Sequence, residues 1–188
     1  MTDTRRLFIA SFLKESEKGQ LTKLTDLNKT LVQAHKSDVR FVSPCKWHLT
    51  WMFLGNCKKE LEPKILEIIK ETSLECFAQN IVYDKFSVWP SSKKPRVGVL
   101  ESLLPPEEFV QSVEQMQKRL SPLLENPGEH HAKLKPHITF VRFKNKCFDQ
   151  HELDTSMLPL IQKVDHVALV KSDFKAYTII EKFTLRQE

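Results

Sequence analysis

The chain has 188 residues, a formal net charge of +5 and 40% hydrophobic residues. That length suits one compact domain, and the hydrophobic share is enough for a buried core. No apolar run approaches the roughly 20 residues of a membrane-spanning helix. The polar, charged start at Met1–Arg6 is not typical of a signal peptide. We expect a soluble cytoplasmic protein, a monomer by size, whose modest positive charge tolerates polyanions.

Hydrophobic periodicity predicts the elements of the first half of the chain. The predicted strands are 7–13, 39–42 and 46–55, and the last of them is expected to end at Gly55. A helix follows the first strand, with Leu21, Leu24, Leu27 and Leu31 on one apolar stripe. A second helix is predicted over 60–74.

The second half is expected to continue with a similar mixture. The predicted strands are 81–89, 96–103, 136–143, and two more near 164–171 and 177–185. A helix is predicted from Pro105 to about Leu124, since proline and early acidic residues favour a helix start. A short helix or irregular segment is expected over 150–160.

This order of elements predicts an α+β fold with mostly antiparallel sheet, because strands and helices alternate only in part. The sequence also contains a faint internal repeat. In each half, a strand, a helix and a short basic segment precede a strand that carries a His-x-Thr motif. Two similar halves would bring these motifs into facing positions across a pseudo-two-fold axis.

The two motifs, His48-Leu49-Thr50 and His137-Ile138-Thr139, carry the chemical signal. Residues i and i+2 of a strand point to the same face, so each strand presents one imidazole and one hydroxyl. A single match would carry little weight, since a strand histidine satisfied by its neighbours is common. Two matches at corresponding places in a repeat indicate a shared catalytic surface.

Opposed imidazoles suit the opening of a phosphodiester. One ring accepts a proton from the attacking water, and the other donates a proton to the departing oxygen. Threonine hydroxyls can donate hydrogen bonds to phosphate oxygens, where negative charge builds in the transition state. The four cysteines form no CxxC pair, and no Asp/Glu cluster is evident. The sequence therefore predicts free thiols and neither a metal site nor a cofactor.

These segments resemble the 2H phosphoesterases, and within them the RNA 2',3'-cyclic phosphodiesterase group, also called the LigT or 2'-5' RNA ligase family. The resemblance covers most of the chain. Its segments are Arg6-Leu7-Phe8-Ile9-Ala10, Val39-Arg40-Phe41-Val42, Trp47-His48-Leu49-Thr50, Phe53-Leu54-Gly55, Phe86 to Val99, Lys135-Pro136-His137-Ile138-Thr139-Phe140-Val141-Arg142, Val167 to Ser172 and Tyr177-Thr178.

The resemblance implies a single domain over 1–188, with two pseudo-symmetric lobes and flanking helices around a central groove. It implies hydrolysis of an RNA-terminal 2',3'-cyclic phosphate to a 2'-phosphomonoester. His48 would be the acid, His137 the base, and Thr50 and Thr139 would assist. Arg142 would hold the phosphate, although its odd parity relative to His137 requires a twist or bulge.

Two alternatives remain open. One is another member of the superfamily, either a 2'-5' oligonucleotide phosphodiesterase or another cyclic-nucleotide phosphodiesterase. The other is an RNA- or nucleotide-binding module with little catalysis, which the intact pair of motifs disfavours. The expected partners are RNA ends or nucleotide 2',3'-cyclic phosphates. Phe8 is expected in the core, with base stacking as its alternative.

Overall fold

A computed structural model describes residues 3–34, 39–124, 134–143, 154–173 and 176–187. Its helices are α1 (Glu15–Ala34), α2 (Glu62–Ser73) and α3 (Glu107–Leu120), and single 3-10 turns cover Pro44–Lys46, Lys59–Leu61 and Ser121–Leu123. Its strands are β1 (Thr4–Phe12), β2 (Val39–Phe41), β3 (His48–Lys58), β4 (Gln79–Tyr83), β5 (Lys85–Trp89), β6 (Val97–Glu101), β7 (His137–Phe143), β8 (Leu160–Val164), β9 (His166–Ser172) and β10 (Tyr177–Thr184).

The main sheet has the strand order β10-β9-β1-β3-β7-β6-β5, and β2 also pairs with β7. β4 and β8 form a separate two-stranded sheet. The paired strands within both sheets are antiparallel. These sheets and the three helices confirm the predicted α+β class.

The chain contributes a similar unit to each side of the sheet centre. β1 and β3 pair with each other and are connected through α1 and β2, while β6 and β7 pair with each other and are connected through α3. The two units meet where Leu49 of β3 pairs with Ile138 of β7. The arrangement follows the repeat in the sequence, and the division of one domain into two lobes stays a prediction.

The predicted strand over 81–89 is wrong in one respect, because it is two strands in different sheets. The break falls at Asp84, whose backbone N–H donates to the carbonyl of Glu101 (3.1 Å). The carboxylate of Asp84 accepts a bond from the N–H of Leu103 (3.1 Å). Periodicity could not show this change of partner, since the apolar pattern continues across it.

Three other features differ from expectation. β3 continues to Lys58, because Gly55 adopts a φ of +74° within the strand instead of ending it. β8 was not predicted, and the irregular segment expected over 150–160 lies partly outside the described residues. On α1, Leu27 is 40% exposed, and the buried Asn28 takes part in the inner face instead.

β3 and β7 each have one face in the core and one face toward a groove. Leu49 and Ile138 are fully buried, while the motif residues on either side of them, on the opposite face, are half-buried. Each strand also contains a bulge just after its motif. The register of β1 on β3 skips Trp51, and the register of β6 on β7 skips Phe140. A bulge inserts one residue and shifts the alternation that follows it.

The described helices include none that is both long and apolar enough to cross a membrane. Cys45, Cys57 and Cys76 are free thiols, as predicted, and two of them are buried. Cys147 lies outside the described residues.

Gly98 of β6 leaves room for the bulge in β7. A Cβ at this position would lie 2.5 Å from Cγ1 of Val141 and 2.6 Å from Cζ of Phe86. We expect Gly98→Ala to lower the free energy of unfolding by about 1–3 kcal/mol, as overpacked cores do.

Chemical denaturation of Gly98→Ala checks this expectation against Gly19→Ala. A Cβ at Gly19, within α1, meets nothing within 4 Å. The control should raise stability by up to about 1 kcal/mol, because alanine is the better helix former. Equal stability changes in the two variants would show that the close approach at Gly98 is not a constraint.

Candidate active site

A cavity of about 840 Å³ opens on the groove face of β3 and β7. All five predicted site residues line it: His48, Thr50, His137, Thr139 and Arg142. Ligand pockets of small-molecule enzymes have volumes of this order. The structure therefore brings the two motifs to one cavity, and their catalytic role stays a prediction.

His48 stands at the first position of β3, with its ring fixed by the preceding turn. Its Nδ1 lies 2.6 Å from the backbone carbonyl of Lys46. A carbonyl can only accept, so Nδ1 carries a proton and donates it. In the neutral ring this leaves Nε2 with its lone pair available to a reactant.

His137 repeats the arrangement at the first position of β7. Its Nδ1 lies 2.7 Å from the backbone carbonyl of Lys135, again the residue two positions earlier. The same tautomer follows, with Nε2 available. Each half of the site thus presents an imidazole held by a backbone acceptor, which fixes the ring whether it is neutral or protonated.

The surroundings of His48 are aromatic. The ring centroids of Phe8, Phe12 and Tyr177 lie 5.2, 5.4 and 5.4 Å from that of the imidazole. Removal from water disfavours the charged form. This burial is the largest cause that lowers the pKa of His48 to about 4, and the positive charges of His137 and Arg142 add to it.

His137 has an acidic neighbour instead. Burial lowers the pKa of His137, and the carboxylate of Glu101 acts in the opposite direction. Glu101 is the direct cross-strand partner of His137, is 9% exposed, and accepts a hydrogen bond from the hydroxyl of Ser87. The Nζ of Lys85 lies 3.7 Å from the same carboxylate.

Glu101 and Phe12 occupy corresponding places in the two halves. Phe12 is the cross-strand partner of His48, as Glu101 is of His137. An apolar partner on one side and a carboxylate on the other favour protonation of His137 over His48 in the free protein.

The hydroxyls come from the same two strands. Leu49 pairs with Ile138 in an antiparallel register, which sets His48 beside Thr139 and Thr50 beside His137. Each imidazole therefore has two threonine hydroxyls nearby. One belongs to the same strand, two residues later, and the other belongs to the facing strand. Thr50 and Thr139 both line the cavity and are half-buried.

Arg142 reaches the groove because of the bulge in β7. Phe140 and Val141 are adjacent in sequence and both lie in the core. The alternation restarts after them, so Arg142 points to the same side as His137 and Thr139 and is exposed there. The bulge that its odd parity requires is present.

Sequence reasoning missed several lining or neighbouring residues. Phe53 follows His48 by five positions, as Arg142 follows His137, and its side chain is 60% exposed at the cavity. Trp89 packs on His137 with ring centroids 4.5 Å apart. Phe8 was expected in the core and is 3% exposed, yet it also forms part of the cavity wall. Glu101 was also missed, and the sequence signal that could have indicated it is an acidic residue at the end of an apolar strand.

Metal-ligating side chains do not cluster in the part of the chain that the structure describes: no group of three or more His, Cys, Asp or Glu is placed to hold an ion. The described lining of the cavity also contains no acidic residue, whereas Arg6, Arg40, Lys46 and Arg142 contribute positive charge. Such a surface suits an anionic ligand.

Both the sequence and the fold are similar to those of known proteins. The sequence model of the LigT-like phosphoesterase family matches residues 15–99, which include the first motif. The same fold is found in LigT structures that match almost the whole chain. Over residues 15–99 the chain is thus similar to the LigT-like phosphoesterases, and its fold is that of the LigT structures.

Individual proteins show the same similarity. The RNA 2',3'-cyclic phosphodiesterase of Aquifex aeolicus (strain VF5) is 24% identical over 159 residues, which are 78% of this chain and 81% of that protein. The protein TT0787 of Thermus thermophilus superposes with a TM-score of 0.82 and 27% identity, covering 97% of this chain and 99% of that one. E. coli LigT in complex with 3'-AMP gives 0.73 and 21%, covering 98% and 100%.

The unequal neighbours of the two histidines predict unequal titrations. We expect His48 to titrate near pH 4 and His137 at a higher pH, though below its usual value. Glu101→Gln should lower the pKa of His137 further, because a carboxylate that favours the imidazolium is lost.

NMR titration of the imidazole protons checks this, with the two rings assigned through His48→Ala and His137→Ala. Lys85→Gln serves as the control, since it changes a charge next to Glu101 and leaves the carboxylate in place. A higher pKa for His48 than for His137 would contradict the expectation.

Proposed function

We propose that the protein hydrolyses the 2',3'-cyclic phosphate at an RNA end to a 2'-phosphomonoester. The observation that carries the proposal is the pair of imidazoles, each with Nδ1 held by a backbone carbonyl and each lining one cavity with a threonine hydroxyl. These groups match the needs of phosphodiester opening: a base, an acid and donors to the phosphate oxygens.

In the proposed reaction, one imidazole accepts a proton from water as the water oxygen forms a bond to phosphorus. The bond from phosphorus to the ribose 3'-oxygen breaks, and the second imidazole donates its proton to that oxygen. Thr50, Thr139 and Arg142 stabilise the non-bridging oxygens. The product keeps its phosphate on the 2'-oxygen, and the two rings have exchanged protonation states.

The electrostatics of the free protein favour His137 as the acid and His48 as the base. The carboxylate of Glu101 stabilises an imidazolium at His137, whereas the aromatic wall keeps His48 neutral. The resemblance implies the reverse assignment. Since the two rings are held alike, the difference between their neighbours is what distinguishes the two assignments.

The relatives support this choice of substrate. The Aquifex aeolicus protein has the same proposed activity in its name, and E. coli LigT has been crystallised with 3'-AMP. We propose that RNA ends or nucleotide 2',3'-cyclic phosphates are the partners, and that the protein works without a cofactor as a cytoplasmic monomer. A 2'-5' oligonucleotide phosphodiesterase would use the same groups on a different linkage.

The proposal predicts turnover of an RNA that ends in a 2',3'-cyclic phosphate, with EDTA present, and a 2'-phosphate product. His48→Ala and His137→Ala should each lower kcat by about 10²–10⁴, the usual contribution of a positioned acid or base. Chromatography against 2'- and 3'-phosphate standards identifies the product.

Retained folding of both variants is checked by circular dichroism, and Lys23→Ala, an exposed position of α1 away from the cavity, is the control. A wild-type protein that binds this RNA without turning it over would indicate a binding module. Strict dependence on a metal ion would remove the two-histidine mechanism.

The assignment of acid and base predicts a selective rescue. In a substrate whose 3'-oxygen is replaced by sulfur, the departing thiolate needs no proton, so the acid is no longer required. We expect this substrate to restore most of the activity of His137→Ala and little of that of His48→Ala. Rescue of His48→Ala alone would establish the roles that the resemblance implies.

A further inference from the structure

Two arginines lie directly opposite each other beside the catalytic motifs. Arg40 of β2 is the cross-strand partner of Arg142 of β7, and both side chains are exposed and line the cavity. Like charges at directly opposed positions destabilise a sheet. The pair therefore has an energetic cost in the free protein that an anion between or above the two guanidinium groups would offset.

The position of Arg40 is fixed by its neighbours in β2. Val39 and Phe41 are half-buried and pack against the core, and the ring of Phe41 meets that of Phe140 at a centroid distance of 5.3 Å. Alternation along the strand then directs Arg40 to the opposite face. The bulge in β7 brings Arg142 to that same face.

The described residues offer no carboxylate to either arginine. No ion pair links Arg40 or Arg142 to another residue in the described part of the chain. The other residues that line this end of the cavity include Ser43 and Lys46, which are neutral and basic. Among the described residues, the positive charges of Arg40 and Arg142 are thus not balanced by an ion pair.

The arginine pair is displaced from the motifs along β7. Arg142 lies three residues after Thr139, but one of these three is the extra residue of the bulge and adds no step to the strand pairing. Two strand steps remain, or about 7 Å. Such a displacement is comparable with the step between successive phosphates of a nucleotide chain. Arg40 is therefore placed to contact the phosphate next to the one that Arg142 helps to hold.

We propose that Arg40, opposite Arg142, forms a second phosphate subsite that binds the phosphodiester on the 5' side of the terminal nucleotide. The substrate class would then be a polynucleotide end with at least one internal phosphodiester, and a lone nucleoside cyclic phosphate would leave the subsite empty. This inference rests on the proposed function, since it places the reacting phosphate at the two histidines.

The test compares three substrates that end in the same 2',3'-cyclic phosphate. The first is a nucleoside 2',3'-cyclic monophosphate, and the second is a dinucleotide with a normal internal phosphodiester. The third is the same dinucleotide with a neutral methylphosphonate linkage, which keeps both bases and sugars and removes one charge. The ratio of kcat/KM between the second and third substrates reports the charge at the subsite.

For the wild type we expect this ratio to be about tenfold, the effect of one hydrogen-bonded contact to a charged group. In Arg40→Gln the ratio should fall to about one, while kcat/KM for the mononucleotide changes by less than about twofold. Arg40→Lys should keep part of the ratio. Lys23→Gln, an equal charge change on the exposed side of α1, should keep all of it.

Three outcomes are distinguishable. A tenfold wild-type ratio that Arg40→Gln abolishes supports the inference. A wild-type ratio near one, or a ratio that Arg40→Gln leaves unchanged, overturns the inference while turnover of the mononucleotide still supports the proposed function. If the wild type turns over none of the three substrates, the proposed function fails and the inference fails with it.

Discussion

The bulge after each His-x-Thr motif is the constraint on which the site depends. A regular strand would send every second residue to the core, and it would bury the charged side chain of Arg142. The extra residue, Trp51 in one strand and Phe140 in the other, is placed in the core next to a second apolar residue. The alternation then restarts, and Phe53 of β3 and Arg142 of β7 both face the groove. Packing of two large aromatic side chains thus determines which functional groups the groove receives.

Similar backbones with different side chains then make the two halves of the site chemically unequal. Both imidazoles are held by the carbonyl two residues earlier, so the tautomer and the available nitrogen are the same. The cross-strand partner is a phenylalanine at one ring and a buried carboxylate at the other. Five positions after its histidine, β3 has the exposed ring of Phe53, whereas β7 has the guanidinium of Arg142. Acid–base chemistry needs one protonated and one neutral group, and the different neighbours of the two similarly held rings favour such a pair.

The sequence predicted what local patterns encode. The His-x-Thr parity, the helices and most strands follow from the period of hydrophobic residues, and the repeat indicated that the motifs meet. What it missed depends on pairing between distant segments. The division at Asp84 reflects a change of partner strand. Glu101 is a candidate site residue only because it pairs with His137, and Arg40 only because it pairs with Arg142. The bulge in β7 was required by the parity of Arg142, yet no residue pattern located it at Phe140.

β3 and β7 are joined at one residue pair, Leu49 and Ile138, whereas their outer edges pair with β1 and β6 over most of their length. A joint with so few ladder hydrogen bonds contributes little stiffness by itself. Packing of the fully buried side chains of Leu49 and Ile138 therefore helps to hold the two imidazoles at their spacing. The geometry of the site thus depends on core volume. If the proposed reaction takes place here, a change in the size of a buried side chain would alter its rate without contacting the substrate.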